Sequence, residues 1–280
     1  MQSSPTSSAS TAPAPVRWHI SEIDFSRIDI PRIRHNGDLF YLVTSASFIE
    51  TGSDMYTRNL VRHYSAYPEV AEWLQQRWEP EELQHGLALR TYVETVWPEF
   101  DWQTAFDAFF TEYGALCTDE ELEEDRTLEL VARCVVETGT TTYYETLRNL
   151  APEPVLADLA NRIRTDEVQH YKYFFQYFRE LQASQKLSRA RIASVLYKRL
   201  AEMRESDSDV ALRHVWQHRP PLFREDSFEQ QSQRTYQLVS SSLPIEQVIR
   251  MLLKPMDLPK RVEKWVQPPL QKLGRRLLSA

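Results

Sequence analysis

Two short runs in this chain pair a carboxylate with an imidazole three residues on: Glu81-Glu82-Leu83-Gln84-His85 and Asp166-Glu167-Val168-Gln169-His170. Both read acid-Glu-aliphatic-Gln-His. Residues three apart on a helix share a face, so Glu82 projects with His85 and Glu167 with His170. Each run also follows a helical stretch carrying a Glu of its own: Glu50 lies 32 residues before Glu82, and Glu137 lies 30 before Glu167. A lone Glu-x-x-His arises easily by chance. Two at matched distances from an upstream Glu, with similar flanks, do not. Four carboxylates and two imidazoles spread over four helices are the ligand set of a carboxylate-bridged dimetal site in a four-helix bundle.

Burying that many carboxylates is very unfavourable unless cations compensate, and two divalent metals would do so. Carboxylates can bridge metals, and imidazole suits iron; the same ligands also accept a manganese–iron pair. The mixed oxygen and nitrogen set argues against a closed structural zinc site. The first helix offers Asp38, Glu50 and Asp54, of which Glu50 best matches the spacing of the second half. The third offers Glu129, Glu137 and Glu145, and the duplication selects Glu137.

Asp166 and Glu81 precede the ligand Glu residues and are candidates to accept from the outer N–H of a ligating imidazole. Glu81 also reads as an ordinary first-turn helix acid. Thr140, three residues after Glu137, either delivers protons to bound oxygen or bonds back to a backbone carbonyl. Cys134 faces the same way and reads as a small core residue. Tyr143, Tyr144, Tyr171 and Tyr173 fall near the site in sequence. Packing is their default role and redox activity the alternative. Gly52, Gly86 and Gly139 sit beside proposed ligands; inside helices they suggest close helix approach, a bulge or room for substrate.

The elements that must position these groups can be read from the same chain. Helix 1 runs from about Gly37 to Ser65, and a short helix from Pro68 to Arg77 leads into helix 2, about Pro80 to Val96. Pro80 occupies a first turn, where its missing N–H costs little. Residues 99–117 form a crossover whose Phe106, Phe109 and Phe110 suggest a further helix. Helix 3 begins near Thr118-Asp119-Glu120-Glu121, a capping-box pattern, and continues to about Asn149. Helix 4 spans about Pro154 to Gln182. Two hairpins joined by a long crossover make the ferritin-like connection. A fifth helix is expected from Leu187 to Glu205, and prolines then chop the chain into short helices.

Glycine is scarce, at 6 of 280 residues, and period-2 runs are few, so the class is all-α: a ferritin-like four-helix bundle with a dimetal core plus C-terminal helices. The division is a tail at 1–17, the bundle at 18–185 and a helical extension at 186–280. Met1 to Val16 has the composition of a disordered tail and lacks the features of a secretory signal. No run of about 18 apolar residues exists to span a membrane. The two cysteines, Cys117 and Cys134, form no metal or disulfide motif, which fits a reducing cytoplasm. The net charge of −7 disfavours nucleic acid. The last forty residues run the other way, with eight Lys and Arg against three acids. Such a basic end reads as a solvated helical tail, a dock for an acidic protein or a contact for an anionic membrane.

The motif Trp78-x-x-Glu81-Glu82-x-x-His85-Gly86, with Glu137-x-x-Thr140 and Asp166-Glu167-x-x-His170, resembles the soluble acyl-carrier-protein desaturases of the ferritin-like diiron superfamily. The resemblance covers roughly residues 35–185. It implies that Glu50, Glu82, His85, Glu137, Glu167 and His170 ligate two irons, that Glu82 and Glu167 bridge them, and that Glu50 and Glu137 are terminal. It implies a diferrous site that activates O2 and abstracts hydrogen from an acyl chain held on a carrier protein or CoA. A ferredoxin-like electron donor and a homodimer are further implications. Gln84 and Gln169 depart from the family, which has Arg before each histidine. The same ligands also serve ferritins, rubrerythrins, arylamine N-oxygenases and the small subunit of ribonucleotide reductase. An oxygenase acting on a small amine or amino-acid-derived metabolite, and a non-enzymatic iron-binding bundle, are therefore the competing functions.

Overall fold

The computed structural model describes residues 16–117, 122–202, 207–223 and 227–278, and among these all regular structure is helical. A strap with two 3-10 turns leads into α1 (Ile30–Ile33), α2 (Gly37–Thr51), α3 (Ser53–His63) and α4 (Pro68–Trp73). A π-helical turn, Leu74–Trp78, joins α4 to α5 (Glu79–Val96), and α6 (Trp102–Leu116) makes the crossover. Then follow α7 (Arg126–Leu150), α8 (Pro154–Gln185), α9 (Arg189–Glu202), α10 (Asp207–His218), α11 (Phe228–Ser242), α12 (Ile245–Leu253) and α13 (Lys260–Leu278).

The bundle consists of α2, α5, α7 and α8. α2 packs along α5 and α7 along α8, while α5 touches α8 and closes the two hairpins on each other. The later helices cover the outside: α9 and α12 lie on α7, α10 lies against α2 and α6, and α13 rests on α12 and α11.

Local chemistry sets the ends. The Asn36 side chain accepts from the Leu39 N–H at 3.0 Å to start α2, and Asp125 accepts from Thr127 N–H at 3.0 Å to start α7. Glu153 caps α8 through the N–H groups of Val155 and Leu156, and also accepts from the Tyr92 hydroxyl at 2.8 Å. One buried carboxylate thereby ties the start of α8 to α5. Lys186, left-handed at φ 53°, ends α8.

Two apolar clusters fill the interior. One gathers Phe40, Phe48, Leu89, Trp97, Phe109, Leu147 and Ile163; the other gathers Leu60, Trp78, Val131, Val135, Phe174 and Phe178. Each of α5, α7 and α8 contributes its ligand segment between a stretch lying in or beside one cluster and a stretch in the other, and Glu50 ends the apolar run of α2. The polar site is a seam between two hydrophobic layers.

Three element boundaries differ from the sequence expectation. Helix 1 is not continuous to Ser65. It breaks at Gly52, where ψ opens to −1° and the Tyr113 ring of α6 stands 3.2 Å from where a Cβ would be. The segment from Pro68 does not stop at Arg77 but passes through the π turn straight into α5. Helix 3 begins at Arg126 under the Asp125 cap; the expected cap at 118–121 lies outside the described residues. The close helix approach anticipated at the glycines is found at Gly86, where an added Cβ would come within 2.9 Å of Thr51 backbone atoms on α2.

Candidate metal centre

Glu50 comes from the last turn of α2, Glu82 and His85 from α5, Glu137 from α7, and Glu167 and His170 from α8. All six are buried, between 0 and 7% exposed. They form two overlapping groups: Glu50, Glu82, His85 and Glu167 in one, and Glu137, Glu167 and His170 in the other. Within each, one donor atom per residue lies within 4.8 Å of the rest. Every ligand expected from the sequence is thus brought to one place, and Glu167 belongs to both groups.

Inside the cluster, His85 Nδ1 faces Glu50 Oε2 at 3.6 Å and Glu167 Oε1 at 3.3 Å. His170 Nδ1 faces Glu82 Oε1 at 3.0 Å and Glu137 Oε2 at 3.7 Å. Each imidazole therefore meets the upstream Glu of its own half and the Glu-x-x-His carboxylate of the other. On the outer side the halves also cross. His85 Nε2 pairs with Asp166 Oδ2 at 3.1 Å, and His170 Nε2 pairs with Glu81 Oε2 at 2.9 Å.

Buried polar atoms are almost always partnered. Here Glu50 Oε2, His85 Nδ1, Glu137 Oε2, Glu167 Oε1 and His170 Nδ1 are buried without a good hydrogen bond, and all five point inward. With both Nε2 atoms engaged by carboxylates, the Nδ1 lone pairs are left for the interior. Two divalent ions are the partners this donor set fits.

The electrostatics agree. Without metal, burial and the neighbouring carboxylates Glu167 and Glu50 push Glu82 well above the usual carboxylate range, and burial with Glu167 does the same to Glu137. Burial also works against charge on Glu167, but the His170 and His85 imidazoles that face it hold its pKa well below the ordinary value. For both histidines, burial opposes protonation and is outweighed by the facing carboxylates, which raise them well above the usual imidazole range.

Thr140 donates to Glu167 Oε2 at 2.6 Å, while its backbone alternatives, Glu137 O and Val136 O, lie at 3.3 and 3.4 Å. A hydroxyl has one proton to give, and the shorter contact to a carboxylate takes it. Thr140 is only half-buried, unlike the six acids and imidazoles. Cys134 is buried in the apolar cluster beside Val131 and Val135, as a core residue.

Contacts from four residues were not legible beforehand. The Tyr144 hydroxyl donates to Glu50 Oε1, and burial with the Glu50 charge raises its pKa so that it stays a donor. Arg77, placed by the π turn, reaches Glu81 at 2.7 Å. From the strap, the Trp18 indole N–H donates to Asp166 Oδ2 at 2.7 Å, and Arg17 Nη1 reaches Asp166 at 2.9 Å and Glu81 at 3.2 Å. The other tyrosines do not touch the cluster through their hydroxyls. Tyr143 donates to Leu42 O, Tyr171 to Met251 O, and Tyr173 packs on Trp73. A cleft of about 1020 Å³ beside α11 and α12, lined by Tyr236, Arg250 and Arg275, contains none of the cluster residues.

No family model and no curated protein matches this chain. Solved structures do. A point mutant of an R2-like ligand-binding oxidase with an anaerobically reconstituted Mn/Fe cofactor matches with a TM-score of 0.57 at 12% identity, covering 85% of this chain and 88% of that one. Another mutant of such an oxidase, with an aerobically reconstituted Fe/Fe cofactor, gives a TM-score of 0.57 at 14% identity over the same shares. A third, again Mn/Fe, gives 0.54 at 11% identity over 93% and 88%. The fold is ferritin-like. At this identity the likeness speaks for the fold, and the six-residue cluster speaks for the site. No described helix is long and apolar enough to cross a membrane.

Proposed function

We propose that this protein is an O2-dependent, non-haem dimetal oxidoreductase, with Glu50, Glu82, His85, Glu137, Glu167 and His170 holding two irons or a manganese–iron pair. The observation that carries the reading is the set of buried, unpartnered donor atoms that face one another across the seam. The Fe/Fe and Mn/Fe cofactors of the similar oxidases support it. Such a metal pair, when bound, supplies reductive activation of dioxygen.

The chain's own residues do the rest. Glu82 and Glu167 each lie opposite the histidine of the other half, and with Glu50 and Glu137 they would supply the four carboxylates that hold the two ions. Asp166 and Glu81 hold each Nε2–H, which fixes the tautomer that turns Nδ1 inward. Trp18, buried and parallel to the His85 ring, covers the cluster on the strap side. Thr140 holds a proton at Oγ1, on the half-buried face of α7, and is placed to pass it to Glu167.

The substrate we favour is a fatty acyl chain on a carrier protein or CoA, on the strength of the desaturase-like motif and the apolar layers on both sides of the seam. Desaturation removes two hydrogens from adjacent carbons and reduces O2 to two waters; hydroxylation inserts one oxygen and yields one water. Each balance needs two further electrons and two protons, which we assign to a ferredoxin-like donor and solvent. The outward face of α13 carries Arg261, Lys264 and Lys272 around an 84% exposed Trp265, complementary in charge to an acidic carrier. We place the protein in the cytoplasm as a homodimer.

The test is anaerobic loading with Fe(II), then O2, reduced ferredoxin and acyl thioesters of graded length, with mass spectrometry of products. A mass loss of two hydrogens or gain of one oxygen is expected. No product from any chain length, beside turnover of small amines in a parallel arm, would replace the acyl reading with N-oxygenation.

A further inference from the structure

The outer carboxylates of the two halves converge on one atom. Arg17 Nη1 lies 2.9 Å from Asp166 Oδ1, and 3.2 and 3.4 Å from the two oxygens of Glu81. Those carboxylates are the ones that engage His85 Nε2 and His170 Nε2. The result is a single arc, His170–Glu81–Arg17–Asp166–His85, joining both imidazoles through groups that contact no metal. Glu81 is 0% and Asp166 1% exposed, so their mutual repulsion is poorly screened and a shared cation is the natural remedy. Gln84 and Gln169, where the resemblance would place arginines, bring no charge to this face. Arg77 serves Glu81, from its own half. Arg17 reaches both carboxylates.

Arg17 belongs to the strap, outside the four bundle helices. The strap is fastened beside it by Trp18, whose indole N–H donates to Asp166, whose carbonyl accepts from the Gln84 side chain at 3.0 Å, and whose ring lies parallel to His85 at 6.1 Å between centroids. Further along, buried Ile23 and Ile28 anchor it to the bundle's apolar cluster.

We infer that Arg17 is a positioning residue that couples strap docking to metal binding in both halves of the site at once. The inference rests on the dimetal reading. By holding Asp166 and Glu81 in place, Arg17 fixes the orientation of both imidazoles; the carboxylates that back a ligating imidazole typically change metal affinity 10- to 100-fold when removed, and Arg17 supports two of them at once. Linkage makes the effect reciprocal: a docked strap tightens metal binding, and bound metal holds the strap down by the same factor.

The experiment titrates the full-length chain and its Arg17→Gln and Arg17→Lys variants with Mn(II) against a chromophoric chelator. Hydrogen–deuterium exchange of residues 16–28 is followed with and without Mn(II), and each metal-free variant is melted. Arg17→Gln should weaken Mn(II) binding by about 10- to 100-fold, and Arg17→Lys should recover part of it, since a lysine keeps the charge without the fork. Mn(II) should slow strap exchange in the unsubstituted chain and much less in Arg17→Gln. Equal affinity in Arg17→Gln, or strap exchange in the unsubstituted chain that ignores Mn(II), overturns the inference. So does a loss of affinity that simply tracks a lower melting temperature and is not relieved by lysine. An unsubstituted chain that binds no Mn(II) and no Fe(II) overturns the dimetal reading, and this inference with it.

Discussion

The two halves of the metal centre share their inner ligands and differ in nearly everything around them. In the first half, Glu50 accepts from Tyr144, and His85 is backed by Asp166, with Trp18 stacked on its ring. In the second, His170 is backed by Glu81, with Trp73 and Trp78 edge-on to its ring. Thr140 touches the shared Glu167. The chain reads as a duplication that has kept the chemistry facing the metals and rebuilt the supports. A further contrast lies at the surface, where Glu112 meets Arg213 and His214 at 2.7 and 2.8 Å. The same residue types make a buried site in one place and a solvated ion pair in the other.

The comparison can be broken most strongly at the residue the halves share. Glu167→Ala should abolish binding of both ions, because Glu167 belongs to both ligand groups, whereas Glu137→Ala should leave about one ion per chain in the first half. Metal analysis by plasma mass spectrometry separates the two outcomes; equal loss in both variants would mean the halves do not bind independently. Next in size is Asp166→Asn, which weakens the charge-assisted contact to His85 and should lower affinity about 10- to 100-fold, the first half suffering more. Competition titration reads this, and a larger effect on the second half would contradict the assignment of Asp166 to His85.

Tyr144→Phe sharpens the comparison more gently. It removes the hydroxyl donor from Glu50 and should cost about 1 kcal/mol of metal binding in the first half, the usual net worth of one hydrogen bond. The second half should not change. Smallest is the surface triad. Hydrogen bonds from Arg213 and His214 lower Glu112 to about 2. A carboxylate depressed in the folded state contributes stability above its unfolded pKa and loses it as pH falls through about 2. Because the side chain is 39% exposed, solvent screens most of this. Glu112→Gln should shift stability at neutral pH by less than about 1 kcal/mol, and a chemical denaturation series from pH 7 to pH 2 would show it.

The inner site was legible because helical spacing leaves little choice. Glu-x-x-His puts both groups on one face, and the duplication chose Glu137 over Glu129 and Glu145. Glu129, about two turns before Glu137 on α7, is instead held by Arg133 in a buried ion pair. Asp166 and Glu81 were legible as neighbours of ligands, though nothing in the spacing showed that each would serve the histidine of the opposite hairpin. Arg17 and Trp18 were hidden, since they lie at the edge of a segment with the composition of a tail, about 65 and 150 residues from what they touch. The break at Gly52, packed against Tyr113, and the π turn before α5, which places Arg77, are features that no local pattern encodes. Tyr144 was one of four candidate tyrosines until the fold placed its hydroxyl on Glu50.

Two metal ions held by six buried side chains would be visible by their scattering. An anomalous difference map, collected at the iron and manganese edges from crystals of iron- and manganese-loaded protein, tests for them most directly. The account predicts two peaks flanked by Glu82 and Glu167, one beside His85 Nδ1 and one beside His170 Nδ1. A map with no peak there, from protein folded and loaded under anaerobic conditions, would contradict it.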